Sequence, residues 1–261
     1  MILRRRPPRL KGLSLNHLLP NLLTVLALCS GLTGVRFALA EQWQAAVAAI
    51  MVAGVLDGLD GRLARLLGGG SKFGAELDSL SDFLSFGAAP AVIVYTWSSR
   101  DLGGIGWTAA LFLAVCCALR LARFNARIDA DVQPHKSAGF NTGVPAPVGA
   151  GLAFAPIYLW LITGNDLFRS WQLVMPWTLF IAVLMISAIP TFSWTSIRIR
   201  RSWRIVGLAA VALLAAALIN EPWITLLVVS FAYLASVPFS LLSYGRVKRR
   251  RAAEAVPTPA G

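Results

Sequence analysis

Apolar runs of about twenty residues recur along nearly the whole chain. Runs of that length, uninterrupted by charge, are membrane-crossing helices. They fall at Leu18–Ala40, Trp43–Leu66, Leu77–Ser98, Ile105–Phe124, Val144–Ile162, Val174–Ile189, Ile205–Ile219 and Trp223–Tyr244. Composition agrees: 57% of the 261 residues are hydrophobic and 14% charged, and the mean hydropathy is +0.66. This is too apolar for an ordinary soluble domain. The expected fold is therefore all-α, a polytopic membrane helix bundle with about eight transmembrane helices.

The net charge of +12 would fit a nucleic-acid binder, but its distribution excludes that role. Of the 24 Lys and Arg, all but Arg36, Arg100 and Arg169 lie in the two tails or in and beside the second, fourth and sixth connections. The odd connections carry Glu41, Asp101, Asp166 and Glu221 instead. This positive-inside asymmetry puts both termini and the even loops in the cytoplasm, which requires an even number of spans. The basic segments Met1–Lys11 and Arg246–Arg251 would favour anionic lipid headgroups. The chain divides into a basic segment 1–17, a six-helix core 18–196, two further helices 197–245 and a basic, mobile tail 246–261. Ala38-Leu-Ala40 has the form of a signal-peptidase site, but the apolar run before it is long and carries Asn21 and Thr24. The reading is an uncleaved first helix. Cys29, Cys116 and Cys117 lack metal or redox spacing and read as small apolar fillers. Trp43, Trp97, Trp107 and Trp223 read as anchors at the outer interface.

Against this background stand four acids: Asp57 and Asp60 in the second apolar run, Asp78 and Asp82 at the start of the third. A charge at the bilayer centre costs at least ~2.5–3.5 kcal/mol, so four together require a reason. Gly68-Gly69-Gly70-Ser71 between the runs ends a helix and permits reversal. Two antiparallel helices folded about residues 69–70 bring Asp57 opposite Asp82 and Asp60 opposite Asp78. Within each helix the pair is three or four residues apart and shares a face. At ~1.5 Å per residue the site lies about 10–20 Å from the loop apex, near the cytoplasmic boundary. Gly58, Gly61 and Gly74 are small enough for close helix approach or for a ligand to reach the backbone. Hard oxygen ligands of this kind suit Mg²⁺ or Mn²⁺, which bind substrate phosphates through a few carboxylates. Arg65, on roughly the face of Asp57, could grip phosphate oxygens. Acids, glycines and arginine together point to a diphosphate or phosphodiester substrate at the membrane surface. A cation transporter would spread its acids along a path, whereas these cluster at one face.

At these residues the chain resembles the CDP-alcohol phosphotransferase family. Its signature, D-x-x-D-G-x-x-A-R-x(8)-G-x-x-x-D-x-x-x-D, is matched at Asp57, Asp60, Gly61, Ala64, Arg65, Gly74, Asp78 and Asp82. The resemblance implies a membrane enzyme with six core helices, a homodimer, that displaces CMP from a CDP-linked donor with an alcohol. It implies two divalent ions, Mg²⁺ or Mn²⁺, on Asp57, Asp60 and Asp78, with Asp82 as general base and possible shared ligand. It places Gly61, Ala64, Arg65 and Gly74, with the three metal-binding aspartates, around the nucleotide diphosphate. Asn21-Leu-Leu-Thr24 looks like the family's N-x-x-T segment, near the nucleotide.

Three further segments resemble the branch of bacterial type II phosphatidylserine synthases. Asp82-Phe-Leu-Ser-Phe-Gly-Ala-Ala-Pro90, Arg120-Leu-Ala-Arg123-Phe-Asn125 and Gly143-Val-Pro145-Ala-Pro147 match that branch's patterns, save that Val144 stands for a leucine. The resemblance implies CDP-diacylglycerol as donor, L-serine as acceptor and CMP as product, at the cytoplasmic face of the inner membrane. Arg120, Arg123 and Asn125 are the candidates for the serine carboxylate or a phosphate; snorkelling arginines at a helix end are the plainer alternative. Asn141 and Gly143-Val-Pro145 either shape the headgroup entrance or form a turn. His135 and Lys136 read as exposed loop residues.

Overall fold

The computed structural model describes residues 15–68, 71–126, 140–192 and 204–254. Residues 1–14, Gly69-Gly70, His135, Lys136 and residues 255–261 lie outside that set. Helix includes residues 15–17 of the expected N-terminal segment and runs on through Arg246–Arg251 to Glu254, in place of the expected mobile tail. The architecture is a helical bundle. In order it comprises α1 (Leu15–Leu39), α2 (Trp43–Leu67), α3 (Lys72–Phe83), α4 (Ala89–Val94), α5 (Gly104–Ala126), α6 (Ala146–Ala153), α7 (Ala155–Thr163), α8 (Trp171–Ile186), α9 (Arg204–Asn220) and α10 (Pro222–Glu254).

Each expected apolar run falls on helix, but the runs are not equally able to cross a bilayer. Five described stretches are long and apolar enough: Leu18–Leu39, Lys72–Leu102, Gly104–Ala126, Ala146–Thr163 and Pro222–Leu241. The length of α2 suffices, yet Asp57, Asp60, Arg62 and Arg65 load its C-terminal half. α8 and α9 have 16 and 17 residues, or about 24–26 Å at ~1.5 Å per residue, short of the ~30 Å hydrocarbon core. The molecule is thus a multi-pass helical membrane protein with five spans evident among the described residues.

The third expected run is one continuous helical rod whose winding changes. Two π-turns, Leu84–Ala88 and Tyr95–Ser99, flank α4, and a 3₁₀ turn Arg100–Leu102 closes it. Neighbours come close at the first π-turn. A Cβ on Gly31 of α1 would lie 2.7 Å from Ser85 Oγ, and one on Gly87 would lie 3.0 Å from Cys117 Sγ of α5. Buried Cys116 and Cys117 fill space there, as expected of small apolar side chains. The fifth run breaks at Phe154 into α6 and α7, because Pro156 has no N–H to continue the ladder.

One feature departs from a purely helical chain. Strands β1 (Phe140–Thr142) and β2 (Pro190–Phe192) pair antiparallel, with Asn141 opposite Thr191. Gly143 follows in a left-handed conformation (φ 73°), and its N–H donates to Ile189 O at 2.8 Å. Gly143 thus makes the turn, while Asn141 belongs to the strand before it.

The core runs through α1, α2, α4, α5, α6, α7 and α8, with Ile50, Phe86, Ile93, Trp97, Leu113, Phe154, Tyr158 and Met185 at most 2% exposed. Two of the expected interfacial tryptophans belong to it, which corrects the anchor reading: Trp97 is 1% and Trp43 8% exposed. The Arg169 guanidinium carbon lies 5.7 Å from the Trp43 ring and 5.9 Å from that of Trp160, and its Nε donates to Trp97 O at 2.8 Å. Aromatic faces attract the cation, which draws these rings inward and explains a basic residue in an otherwise acidic connection. Trp107, 42% exposed, remains free to meet lipid.

Candidate active site: an aspartate cluster walled by three helices

The hairpin between α2 and α3 is set by local capping. Gly68 takes the left-handed C-cap conformation (φ 61°), its N–H bonded to Ala64 O. The N-cap of α3 is Ser71, whose hydroxyl accepts from Gly74 N at 2.9 Å. These caps stop one helix and start the next, so the aspartates on both sides face each other. One carboxylate oxygen from each of Asp57, Asp60 and Asp78 lies within 4.8 Å of the others. Asp82 reaches hydrogen-bonding contact with Asp57, the pairing that reversal about residues 69–70 requires.

The first helix supplies the third wall. Thr24 Oγ1 donates to Asp60 Oδ2 at 2.6 Å, with both residues buried. Ser81 Oγ donates back to Thr24 O at 3.1 Å, and Ser85 Oγ to Ala27 O at 3.3 Å. These bonds fix α1 in register against α3 and hold one Asp60 oxygen in place. Asn21 sits one turn earlier, where its Oδ1 would be 2.8 Å from a Cβ on Gly74. Only glycine allows that approach. By contrast, a Cβ on Gly58 or Gly61 would meet nothing within 4 Å among the described residues. Those two glycines therefore do not serve close helix packing, and their backbone borders open space. Arg65 is exposed beside them, its Nε donating to Gly61 O at 2.9 Å; Ala64 is half-buried. Among the described residues, the face of α2 bearing Gly61, Ala64 and Arg65 is thus left open next to the acids.

The three residues expected near the acceptor have different fates. Arg123 donates from Nη1 to Ile186 O (2.7 Å) and from Nη2 to Ser187 O (3.0 Å), so it caps the C-terminus of α8, where unpaired carbonyls attract a cation. Asn125 Nδ2 donates to Ser79 Oγ at 2.8 Å, tying α5 to α3. Arg120 is half-buried and interacts electrostatically with Asp82. A fourth residue, not anticipated from sequence, stands beside it: Tyr233 of α10, which neighbours Arg120 and Thr191. The available signal was Ser230, Tyr233, Val237 and Ser240, which share one helical face in an apolar run.

The donor set suits a hard divalent ion. Two unit charges about 4 Å apart repel by ~4 kcal/mol at an effective dielectric of 20, so clustered carboxylates need a counter-charge. Oxygen-only ligands select Mg²⁺, Mn²⁺ or Ca²⁺ over softer metals. Asp57, Asp60 and Asp78 have the fitting chemistry and proximity, and Asp82 adjoins them.

Comparison with known proteins gives the same picture. Residues 17–185 match the family model described as CDP-alcohol phosphatidyltransferase, and residues 202–238 match that of CDP-alcohol phosphatidyltransferase 2. The CDP-diacylglycerol–serine O-phosphatidyltransferase of Mycobacterium leprae is 39% identical over 236 residues, covering 90% of this chain and 78% of that protein. Its counterpart in Mycobacterium tuberculosis is 37% identical over 238 residues, 91% and 82% of the two chains. The archaetidylserine synthase of Methanothermobacter thermautotrophicus is 34% identical over 174 residues, 66% and 68% of the two. All eight signature positions, the walls that α1 and α3 raise around them and the match over most of the chain agree that this protein belongs to the CDP-alcohol phosphatidyltransferase family.

Proposed function

We propose that this protein is a CDP-diacylglycerol–serine O-phosphatidyltransferase, moving the phosphatidyl group of CDP-diacylglycerol to the hydroxyl of L-serine and releasing CMP. The observation that carries the reading is the convergence of the signature aspartates in a chain whose relatives bear that activity by name. Asp57, Asp60 and Asp78 would hold the divalent ions, Mg²⁺ or Mn²⁺, with Asp82 adjoining. Bound there, the ions would offset the charge of the donor diphosphate and polarise the phosphorus–oxygen bond.

The protein's own groups divide the remaining work. Thr24 fixes Asp60 through the 2.6 Å bond. The uncovered face at Gly61, Ala64 and Arg65 receives the nucleotide diphosphate, where a guanidinium can make paired bonds to phosphate oxygens. Gly74 and Asn21 keep the entrance to α3 narrow. Asp82 accepts the proton of the serine hydroxyl as the serine oxygen attacks the phosphorus that carries diacylglycerol. The bond from that phosphorus to the CMP oxygen breaks, and CMP leaves with the bonding pair. A carboxylate is a weak base for a free alcohol, so proton removal accompanies attack instead of preceding it. Holding the alcohol oxygen and phosphorus together supplies much of the acceleration.

The distribution of Lys and Arg supports a cytoplasmic-membrane protein with eight crossings, cytoplasmic termini and a site facing the cytoplasm. The family resemblance supports a homodimer. The test is CMP release by purified protein given CDP-diacylglycerol and Mg²⁺ or Mn²⁺, with serine, glycerol 3-phosphate, inositol phosphate or choline added singly. Serine-dependent CMP with an equimolar aminophospholipid is the expected result. Turnover with another acceptor would replace the substrate and keep the chemistry, whereas silence with all four would overturn both.

A further inference from the structure

α10 follows the residues 17–185 matched by the first family model, and much of its surface is open: Val228 is 60% and Phe239 68% exposed. One face is different. Ser230, Tyr233, Val237 and Ser240, at intervals of three and four, are all buried, and this helix packs against β2, α6 and α7. The packing delivers Tyr233 to Thr191 and Arg120.

Two buried donors there are unsatisfied. Among the described residues, Tyr233 Oη makes no hydrogen bond of acceptable geometry, although Thr191 is adjacent, and Arg120 Nε has no partner. The Thr191 hydroxyl already donates to Gly143 O at 2.9 Å. A buried polar atom without a partner is uncommon and costs about 1–3 kcal/mol. Here two such atoms come from neighbouring side chains on helices more than a hundred residues apart in sequence. Arg120 also neighbours Asp82, so its guanidinium links Tyr233 to the residue assigned to the acceptor hydroxyl.

From this arrangement we infer that Tyr233 and Arg120 form the subsite for the carboxylate of the acceptor, with α10 completing the acceptor pocket. A guanidinium N–H and a phenolic O–H both donate, so together they suit an anionic, oxygen-rich group. Its position beside Asp82 requires that group to be only a few bonds from the attacking hydroxyl. The carboxylate of a hydroxy amino acid meets that condition; choline, which has no anionic group, does not. The neighbouring Arg123 cannot substitute, because its Nη atoms are engaged by the end of α8. The inference rests on the serine reading of the proposed function and goes further in assigning α10 a share of acceptor selection.

Tyr233→Phe in the full-length protein tests it, since the change removes one hydroxyl and keeps the ring. KM for serine should rise about tenfold, the equivalent of one hydrogen bond to a charged group at ~1.4 kcal/mol. The kcat value and KM for CDP-diacylglycerol should stay within twofold. Thermal stability without serine should match or exceed that of the parent, because a buried unpaired hydroxyl is gone. An unchanged serine KM overturns the inference, and so does a parallel rise in donor KM, which would assign the donors to the lipid-linked phosphate. If the parent protein turns over choline and not serine, the serine reading itself falls and this subsite with it; a normal serine reaction with an unmoved KM sinks the subsite alone.

Discussion

Thr24→Val is the sharpest probe of how the aspartate cluster is built. Valine has nearly the shape of threonine, so the change deletes the 2.6 Å bond to Asp60 Oδ2 and leaves the packing of α1 almost intact. The lost oxygen interaction is short, buried and charge-assisted, the class worth about 1.5–3 kcal/mol net. At ~1.4 kcal/mol per tenfold, that corresponds to roughly a 10–100-fold weaker hold on a metal ion, the range found when partners of metal ligands are removed. The assay is CMP release at saturating CDP-diacylglycerol and serine across a titration of Mn²⁺, paired with direct Mn²⁺ binding by electron paramagnetic resonance. The half-saturating Mn²⁺ concentration should move upward by that factor in both measurements. Turnover at saturating Mn²⁺ should recover to within a fewfold. A midpoint that shifts less than twofold, in protein of unaltered melting temperature, would show that Thr24 only packs α1 against its neighbours.

Other substitutions separate chemistry from architecture. Asp82→Asn should cut kcat by a factor of about 10²–10⁴, the range for a lost general base, while nucleotide-donor binding measured by equilibrium titration stays intact; near-normal turnover would remove Asp82 from proton transfer. Arg123→Lys loses the two-pronged grip on Ile186 O and Ser187 O, so the melting temperature in detergent should fall by an amount corresponding to about 1–3 kcal/mol, with serine KM unchanged. A raised serine KM at constant melting temperature would return Arg123 to the acceptor pocket.

The hairpin register was legible because it depends on short-range arithmetic. Asp57 and Asp82 are equidistant from a glycine-rich reversal, and helical periodicity does the rest. The N-x-x-T segment hinted that α1 approaches the nucleotide site, but not that Thr24 would hold Asp60 across 36 residues. The fates of Arg120 and Arg123 could not be read at all. Both lie near the same helix end with the same charge, and the distinction comes from carbonyl groups of α8 more than sixty residues later. Backbone acceptors leave no mark in a sequence. Trp43 and Trp97 misled for a related reason: a tryptophan at a span's end looks interfacial until a cation such as Arg169 is found among the rings. Tyr233 was hidden because its partners come from two other parts of the chain, although the polar stripe on α10 was visible in principle.

The π-turn at Leu84–Ala88 carries a consequence for how this rod can change over evolutionary time. A π-turn holds one residue more than the α-helical turn it replaces, so everything beyond it is rotated by about 100° relative to an uninterrupted helix. Asp78 and Asp82 can then look toward α2 while the segment from Ala89 onward turns its small residues toward the core. The two halves are phased independently. Deleting a single residue within the turn would restore perfect winding and yet swing one half out of alignment with its neighbours. A loss of one residue in this short stretch would therefore disturb the packing of a whole half of the rod.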